Sequence, residues 1–357
     1  MFNKKTIKDV KIKGQIVLVR TDYNVPLKDG QVESDLRIRA SLPTIKYLYE
    51  HGAKKIILIS HLGRPDGQKS KSLSLRPVYE TLKSLLPDNR VFFVSDVSGP
   101  DVEMEIDNSP NGSIILLENL RFYPGEEKNS TDFAKEIAES THATLFVQDG
   151  FAVVHRAHAS TDAITHELPS VAGLLLEKEV STLTRATENP KHPLLVIIGG
   201  SKVSDKQPLI DKFLPISENI AVGGKIAADG YASDNQKIYV ATDFATDAAG
   251  LKLDIGAESI AKITALVDRA STVIWNGVLG LVEQPEFAKG STAVAEAIGK
   301  KQGITSIICG GDTSGFVENL QAKNPELQYT LISTGGGAAL ELLSGLSLPG
   351  VDSLEDN

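Results

Sequence analysis

The sequence predicts an α/β protein built on parallel β-sheets, and three observations support this prediction. Short apolar runs recur along the chain, and each ends abruptly in glycine or polar residues. The runs are continuous in Val, Ile and Leu rather than alternating, which is typical of strands buried on both faces of a parallel sheet. Helical patterns such as 36–52 and 132–142 lie between the runs, as expected for βαβ units.

The predicted strands form two groups of five, one in each half of the chain. In chain order they lie in QIVLVRTDYN (15–24), KKIILISHLGRP (54–65), RVFFVSD (90–96), SIILLENLRF (113–122), ATLFVQDGF (143–151), LLVIIGGSK (194–202), NIAVGGK (219–225), STVIWNG (271–277), SIICGGDT (306–313) and YTLISTGGG (329–337). A helical pattern over 171–190, ending at Asn-Pro, joins the two groups. A chain of 357 residues is also too long for one ordinary core, so we expect two domains.

The composition of the chain argues against several classes of protein. Apolar residues make up 41% and charged residues 23%, as in globular proteins, and the net charge of −9 argues against a nucleic-acid or membrane-surface binder. The single cysteine, Cys309, excludes an internal disulfide and a cysteine metal cluster. The N-terminus lacks the apolar core of a signal peptide, and no apolar run approaches the ~18 residues of a membrane span. We therefore expect a cytoplasmic protein, which disfavours an extracellular binding protein.

The first group of strands is followed by basic and polar residues. In doubly wound sheets, ligands bind beyond the carboxyl ends of the strands. The residues at those positions are Asp22, Asn24, His61, Arg64, Arg121, His155, Arg156 and His158. They indicate a site for a small anion. VVHRAHAS (153–160) reads as the end of a buried strand entering the basic wall of that site, although simple packing would also explain its two histidines.

The second group is followed by glycine-rich turns. GGSKVSDK (199–206) is predicted to follow a strand and open a helix, on which Lys202 and Lys206 would share a face. The spacing of a Walker loop is absent, and an ordinary turn with surface lysines remains an alternative. CGGDT adds Asp312, which suits either Mg²⁺ on a nucleotide or a helix N-cap. With STGGGA (333–338), these turns favour a polyphosphate site.

These stretches together resemble the phosphoglycerate kinase family. The resemblance runs from about residue 15 to LPGV (348–351). It is carried by TDYNVPL (21–27), DLRIRASLPTI (35–45), SHLGRP (60–65), LLENLRF (116–122), HRAHAS (155–160), GGSKVSDK (199–206), VIWNG (273–277), FAKGS (287–291), GGDT (310–313) and STGGGA (333–338).

The resemblance implies two Rossmann-like domains, each a parallel sheet flanked by helices, joined by a hinge helix. We expect an N-terminal 3-phosphoglycerate-binding domain over 1–170, a hinge helix over 171–190 and a nucleotide-binding domain over 191–339. The tail 340–357 is expected to pack back on the N-terminal domain. A monomer is the family expectation.

The resemblance also implies reversible phosphoryl transfer between 1,3-bisphosphoglycerate with ADP and 3-phosphoglycerate with ATP, with Mg²⁺ bound to the nucleotide. It assigns catalysis to Arg37, Lys206, Gly311 and Gly336. It assigns the acid substrate to Asp22, Tyr23, Asn24, Arg37, His61, Leu62, Gly63, Arg64, Arg121 and Arg156, with His158 nearby. It assigns the nucleotide to Lys202, Lys206, Lys252, Glu283, Gly310, Gly311, Asp312 and Thr313, and the metal to Asp312.

The chain departs from the family pattern around the nucleotide. Lys225, Lys252 and Cys309 stand in place of family glycines, Ala257 and Val278 in place of prolines, and the segment between Gly224 and Leu253 is a few tens of residues shorter. A lysine at a glycine position can block a ligand or reach a phosphate. Three hypotheses therefore remain: an active, shortened kinase, a weak relative that binds phosphorylated acids, and a kinase with altered specificity.

Overall fold

The computed structural model describes residues 2–357. Their contacts divide them into two compact units. The N-terminal unit comprises Phe2–Val180 and the C-terminal tail Ser347–Asn357, and the C-terminal unit comprises Ser181–Leu346. The division falls inside one helix, Leu174–Glu188. Each unit is built on a six-stranded parallel sheet with helices between the strands, so the predicted α/β class is confirmed.

The N-terminal unit holds strands β1–β8 and helices α1–α5, begins α6 and receives α13 from the tail. In chain order these are β1 Ile16–Arg20, β2 Leu27–Lys28, β3 Gln31–Val32, α1 Leu36–Glu50, β4 Lys55–Ile59, α2 Arg76–Leu85, β5 Val91–Val94, α3 Pro100–Asn108, β6 Ser113–Leu117, α4 Pro124–Glu127, α5 Thr131–Thr141, β7 Leu145–Gln148, β8 Ser170–Ala172, α6 Leu174–Glu188 and α13 Pro349–Asp352. The sheet order is β5-β6-β4-β1-β7-β8, and β2 and β3 form a small antiparallel hairpin.

The central strands of this sheet are buried on both faces, as their unbroken apolar sequence predicts. All five residues of β4 and of β6 are buried. One face packs against a core that includes Val17 and Ile45, and the other against a core that includes Leu18 and Phe133. This sandwich aligns the carboxyl ends of β1, β4, β6 and β7 along one edge, where the polar residues follow.

The C-terminal unit holds strands β9–β16 and helices α7–α12. They are β9 Leu194–Ile198, α7 Gln207–Phe213, β10 Asn219–Val222, α8 Gly224–Ala228, β11 Ile238–Val240, β12 Phe244–Thr246, β13 Lys252–Ile255, α9 Ala257–Arg269, β14 Thr272–Asn276, α10 Lys289–Lys300, β15 Thr305–Cys309, α11 Gly311–Lys323, β16 Leu331–Ile332 and α12 Gly336–Leu343. The sheet order is β11-β10-β9-β14-β15-β16. A core that includes Trp275, Val294 and Ile308 packs on it.

Each of the ten apolar runs contains a strand, but two local expectations are wrong. Val153 and Val154 do not end a strand, because β7 stops at Gln148 and residues 151–153 form a 3₁₀ turn. Lys202 and Lys206 share no helix face, because α7 starts only at Gln207 and Lys206 is its N-cap. The segment between Gly224 and Leu253 still contains β11 and the start of an antiparallel hairpin, β12–β13.

Within residues 2–357, no helix has the length and apolar character needed to cross a bilayer.

Candidate active site

Positively charged side chains converge at the carboxyl edge of the N-terminal sheet. His61 follows β4, Arg121 follows β6, and Arg37 lies in the first turn of α1. Burial lowers the pKa of His61 well below its ordinary value, and the charges of Arg20, Arg121 and Arg37 lower it further. The imidazole is therefore neutral near pH 7 and the arginines supply the positive charge of this edge.

Arg37 is held in place by the loop that follows β1. Its guanidinium donates to Asp22 Oδ2 at 2.7 Å and to the Asn24 carbonyl at 3.1 Å. The Asp22 side chain is 5% exposed and that of Arg37 is 30% exposed, so one end of the pair is fixed in the protein and the other faces solvent. Arg37 is thereby positioned to offer its remaining N–H donors to an anion.

The loop after β4 is shaped by side chains that accept hydrogen bonds from its backbone N–H groups or donate to its carbonyls. The Asn24 side chain accepts from the Gly63 N–H at 2.9 Å, and Arg121 donates to the Gly63 carbonyl at 2.9 Å. Asn119, fully buried, donates to the Leu62 carbonyl at 2.7 Å. Gly63 has a φ of +63°, and an added Cβ would lie 2.7 Å from Leu73. The left-handed backbone at this position favours glycine.

A buried network beneath His61 was not identified from the sequence. Arg20, with a fully buried side chain, donates from Nε to Ser160 Oγ at 2.7 Å and from a terminal nitrogen to His61 Nδ1 at 3.2 Å. Glu126, also fully buried, lies 3.8 Å from Arg20 and accepts from the Ser160 hydroxyl at 2.6 Å. Since a guanidinium only donates, His61 Nδ1 must accept and the proton of the neutral ring must sit on Nε2.

A signal for Arg20 was present in the sequence. It is a charged residue at the end of IVLVR, a run that is otherwise buried strand, and buried charges are almost always paired. No comparable signal marks Glu126, which lies outside the predicted strand ends, whereas Asn119 lies where the run SIILLENLRF changes from apolar to polar residues.

The remaining basic residues of this edge differ in exposure. Arg64 and Arg156 are exposed. Burial lowers the pKa of Arg121, and the positive charges of Arg156 and Arg64 lower it further. Arg156 Nε donates to His155 Nε2 at 3.2 Å. His158 is buried with Nδ1 3.8 Å from Glu126, and burial followed by the neighbouring charges lowers its pKa to about 4. VVHRAHAS thus contributes one exposed arginine and a neutral, buried histidine to the basic edge.

Two residues expected to bind substrate have buried apolar side chains. The Tyr23 ring belongs to the core, and its hydroxyl is hydrogen-bonded to Ser41 Oγ at 2.8 Å. The Leu62 side chain belongs to the same core. Their backbone groups also have structural contacts, since the Tyr23 N–H donates to Ser60 Oγ at 2.8 Å and the Leu62 carbonyl accepts from Asn119.

In the C-terminal unit, Lys206 points toward the ends of β14 and β15. Its ammonium donates to Asn276 Oδ1, and Asn276 in turn donates to Cys309 Sγ at 3.3 Å. Burial lowers the pKa of Lys206, while the negative charges of Asp205 and Asp312 act to raise it. Asn276 was not among the sequence candidates, although it is the polar residue that directly follows an apolar run.

Glycines bring the backbone segments of this site into close contact. An added Cβ on Gly336 would lie 2.7 Å from the Gly311 nitrogen, so the N-termini of α11 and α12 approach each other directly. An added Cβ on Gly199 would lie 2.2 Å from the Val278 carbonyl oxygen. The partial positive charge of two helix starts is therefore concentrated at one edge of the second sheet, where it favours an anion.

A cavity of about 250 Å³ opens beside these glycines. It is lined by Gly200, Ser201, Gly224, Lys225, Ala228, Phe244, Lys252, Leu253, Asp254, Val278, Gly280, Leu281, Glu283 and Asp312. Lys252, Glu283 and Asp312 of the predicted nucleotide residues line it, and Lys202 is exposed in the loop after β9. Thr313 is buried, and its hydroxyl accepts from the Gly277 N–H at 2.9 Å. Its side chain therefore has a structural contact and does not line the cavity.

One carboxylate of this cavity, that of Asp312, suits a metal that arrives with phosphates. Both oxygens of Asp254 accept backbone N–H groups, from Ile255 at 2.9 Å and Gly290 at 2.8 Å. Asp312 is exposed and lies within electrostatic reach of Lys206. Mg²⁺ is commonly held by one or two carboxylates together with substrate phosphates, so a lone Asp312 fits that mode.

A group of three side chains that could hold a metal ion lies outside this cavity. The potential ligand atoms of the three lie within 4.8 Å of one another. Within residues 2–357, the structure forms one such trio, Glu103, Asp107 and His142, in the N-terminal unit. Asp312 is not part of it.

Comparison with known proteins gives a consistent result over nearly the whole chain. The family model for phosphoglycerate kinase matches residues 7–239 and 228–346. A curated phosphoglycerate kinase of Moorella thermoacetica is 40% identical over 398 residues, covering 99% of this chain and 99% of the relative. The phosphoglycerate kinase of Coxiella burnetii is 32% identical with a TM-score of 0.80 and 98% coverage of both chains. That of Pyrococcus horikoshii OT3 is 28% identical with a TM-score of 0.86, covering 99% of this chain and 98% of its own.

The comparisons also bear on the shortened segment. The alignment with the Moorella protein is 398 residues long and this chain has 357, so at least 398 − 357 = 41 aligned positions have no counterpart here. The family model matches in two pieces that overlap at 228–239. This break lies inside the interval between Gly224 and Leu253, where the sequence predicts the shortening.

Proposed function

Because this chain belongs to the phosphoglycerate kinase family, we propose that it catalyses reversible phosphoryl transfer between 1,3-bisphosphoglycerate and ADP, yielding 3-phosphoglycerate and ATP. The phosphoglycerate binds in the N-terminal unit and the nucleotide in the C-terminal unit. One observation carries the proposal above all: arginines surround a neutral His61 at the edge of the first sheet. A small molecule with one phosphate and one carboxylate neutralises such a cluster.

In the N-terminal site, the guanidinium groups of Arg37, Arg64, Arg121 and Arg156 hold the phosphate and carboxylate. His61 donates from Nε2, since Arg20 occupies Nδ1. Asp22 and Asn24 act mainly by positioning other residues of the site. Asp22 accepts a hydrogen bond that orients Arg37, and Asn24 accepts one that orients Gly63 and its loop. This division explains why a site for anions contains an acidic residue.

In the C-terminal site, the nucleotide phosphates meet Lys202, Lys206 and the helix starts at Gly310, Gly311 and Gly336. Glu283 contacts the ribose. Asp312 holds Mg²⁺, which neutralises phosphate charge when bound. Lys206 is kept beside the site by its hydrogen bond to Asn276. Its side chain is partly buried, and this burial lowers its pKa.

The chemistry needs no covalent enzyme intermediate. In the forward direction, the bond between the acyl oxygen and phosphorus breaks while a β-phosphate oxygen of ADP attacks in line. Arg37, Lys206 and the helix starts stabilise the charge on the transferring group. Since the substrates bind to separate units, transfer requires closure that brings them together and excludes water as a competing acceptor.

A coupled assay with 3-phosphoglycerate and Mg-ATP tests the proposal. We expect turnover by the native protein and a fall of kcat by at least about 100-fold in Arg37→Ala and in Lys206→Ala, as for the loss of one charge-stabilising group. Arg39→Ala and Lys300→Ala are matched controls, because these side chains are exposed and pair with acids one helical turn away. Both controls should keep native rates.

Two outcomes would count against the proposal. Absence of turnover at millimolar substrates, with circular dichroism showing a folded protein, would support the alternative of a relative that only binds phosphorylated acids. Equal effects of Arg37→Ala and Arg39→Ala would show that the basic edge of the first sheet is not the site of the reaction.

A further inference from the structure

The residues that line the cavity of the C-terminal unit are of two chemical kinds. Gly200, Ser201 and Asp312 suit phosphates and their metal. Phe244 and Leu253 lie on the paired strands β12 and β13, and Leu281 donates its N–H to the Leu253 carbonyl at 2.8 Å, so these three residues form an apolar end of the cavity. Apolar walls with a few placed polar groups are typical of the part of a site that receives a flat organic ring. We take this apolar end as the base end of the cavity.

The ammonium group of Lys252, on β13, lies beside the base end. Its Nζ lies 4.5 Å from the centroid of the Phe244 ring, within cation–π distance, and 3.5 Å from the Ala228 carbonyl oxygen. The contact to the carbonyl is long for a hydrogen bond, so it uses little of the donor capacity of an ammonium with three N–H groups. The aromatic contact orients Lys252 without consuming those donors.

The second lysine of the cavity is in a different situation. Lys225 Nζ forms an ion pair with Asp229 at 2.7 Å, one turn along α8. Its charge is therefore balanced by a neighbour, whereas the groups beside the Lys252 ammonium are a ring face and a carbonyl. Both ammonium groups keep N–H donors, but Lys252, which has no carboxylate among these partners, gains more from a ligand that accepts its hydrogen bonds.

Purines differ in what they offer to such a group. Guanine presents two acceptors side by side, O6 and N7, while adenine presents N7 beside the N6 amino donor. An ammonium can only donate, so it pairs with both atoms of the 6-keto edge but opposes the amino group of adenine. Hypoxanthine has the same 6-keto edge as guanine and lacks the 2-amino group.

We propose that Lys252, held against Phe244, is a specificity residue that shifts the nucleotide preference toward 6-keto purines, so that GTP and ITP are accepted alongside ATP. The inference rests on the proposed function, since it assigns the base end of the nucleotide site used in that reaction.

The test is a nucleotide panel. Initial rates with saturating 3-phosphoglycerate are measured for the Mg salts of ATP, GTP and ITP, on the native protein and on Lys252→Met and Lys252→Arg. Lys252→Met should lower kcat/KM for GTP and ITP at least tenfold relative to ATP. Lys252→Arg keeps the donors and should retain most of the native ratio. Lys225→Met removes the same charge from the same cavity and should leave the ratio unchanged.

Two results would overturn the inference. If Lys252→Met lowers kcat/KM equally for all three nucleotides, the lysine contacts a phosphate and not the base. If the ratio is unaffected by Lys252→Met, or is moved equally by Lys225→Met, Lys252 does not select the base.

Calorimetric binding of ADP, GDP and IDP separates failure of this inference from failure of the proposed function. Nucleotide binding without turnover in any assay would remove the proposed reaction, and the inference would then be judged on the dissociation constants alone. In that case Lys252→Met must weaken the affinity for GDP at least tenfold relative to the affinity for ADP. A smaller change would show that the inference is wrong.

Discussion

At the scale of single residues, the guanidinium of Arg20 is the buried charge on which the basic edge depends. It contacts His61, Ser160 and the carbonyl of Thr21, and its partner in charge is Glu126. Removing one member of a buried ion pair leaves the other charge unpaired, which costs about 3–5 kcal/mol. We expect Arg20→Met to lose that much in the free energy of urea unfolding.

The double variant Arg20→Met with Glu126→Gln removes both charges and should recover part of that loss. Arg39→Met provides a surface control, because the exposed pair of Arg39 with Asp35 is worth roughly 0.5 kcal/mol or less. If Arg20→Met and Arg39→Met unfold at the same urea concentration, the buried network does not stabilise this edge.

A second residue, Asp149, makes stability depend on pH. Burial raises its pKa to about 7, although Oδ1 accepts hydrogen bonds from Thr44 at 2.9 Å and from the Leu175 N–H at 3.0 Å. An unfolded aspartate titrates near ~3.9, so between roughly pH 4 and 7 the folded protein holds a proton that the unfolded chain has released. This contribution to stability is complete below about pH 4 and is lost as the pH rises to 7.

Asp149→Asn should remove this dependence. Urea unfolding at pH 5, 6, 7 and 8 should show a smaller loss of stability with rising pH than in the native protein. Asp234→Asn, at an exposed position, should follow the native profile. Parallel profiles for the native protein and Asp149→Asn would contradict the assignment.

At the scale of elements, the paired starts of α11 and α12 depend on Gly336. An added methyl group would lie 2.7 Å from the Gly311 nitrogen, so Gly336→Ala must push the two helix starts apart. We expect kcat to fall because the helix N-termini would no longer meet at one point. Expressed as a free energy, this loss should exceed the loss in the free energy of unfolding. The coupled assay and urea unfolding measure the two effects.

Gly315 provides the matched control on α11. An added Cβ there has nothing within 4 Å. Gly315→Ala should leave kcat unchanged and stabilise the helix by about 0.5–1 kcal/mol. A Gly336→Ala enzyme as active as the Gly315→Ala enzyme would show that the close approach of the two helices is not needed for the reaction.

At the scale of the whole molecule, the two units contain separate cores, and a natural probe reports on one of them. The chain has one tryptophan, Trp275, buried on β14 in the C-terminal unit. We expect Mg-ADP to raise the fluorescence-detected unfolding midpoint. A ligand at 100 times its dissociation constant stabilises by about 2.7 kcal/mol.

The same experiment with 3-phosphoglycerate locates the second site. This ligand should move the midpoint detected by far-UV circular dichroism, which follows both units, more than the Trp275 midpoint. Equal shifts of the tryptophan signal by both ligands would argue against separate binding units.

Much of the fold was predictable, because it depends on patterns local in sequence. Unbroken apolar runs such as those of β4 and β6 can be buried on both faces only in a covered parallel sheet. The short strand β8 and the hairpin β12–β13 were not predicted. Their residues are few or mixed in polarity, and tertiary neighbours decide their conformation.

The sequence by itself determined the family, the two-sheet architecture and the strand-end positions at which we propose that anions bind, because strand ends are marked locally by the change from apolar to polar residues. Only the tertiary structure decided which side chains face the sites. It placed Tyr23 and Thr313 in buried contacts, set Arg20 beneath His61, and laid Lys252 against Phe244. These pairings join residues distant in the chain, and side-chain direction there follows from packing that no local pattern contains.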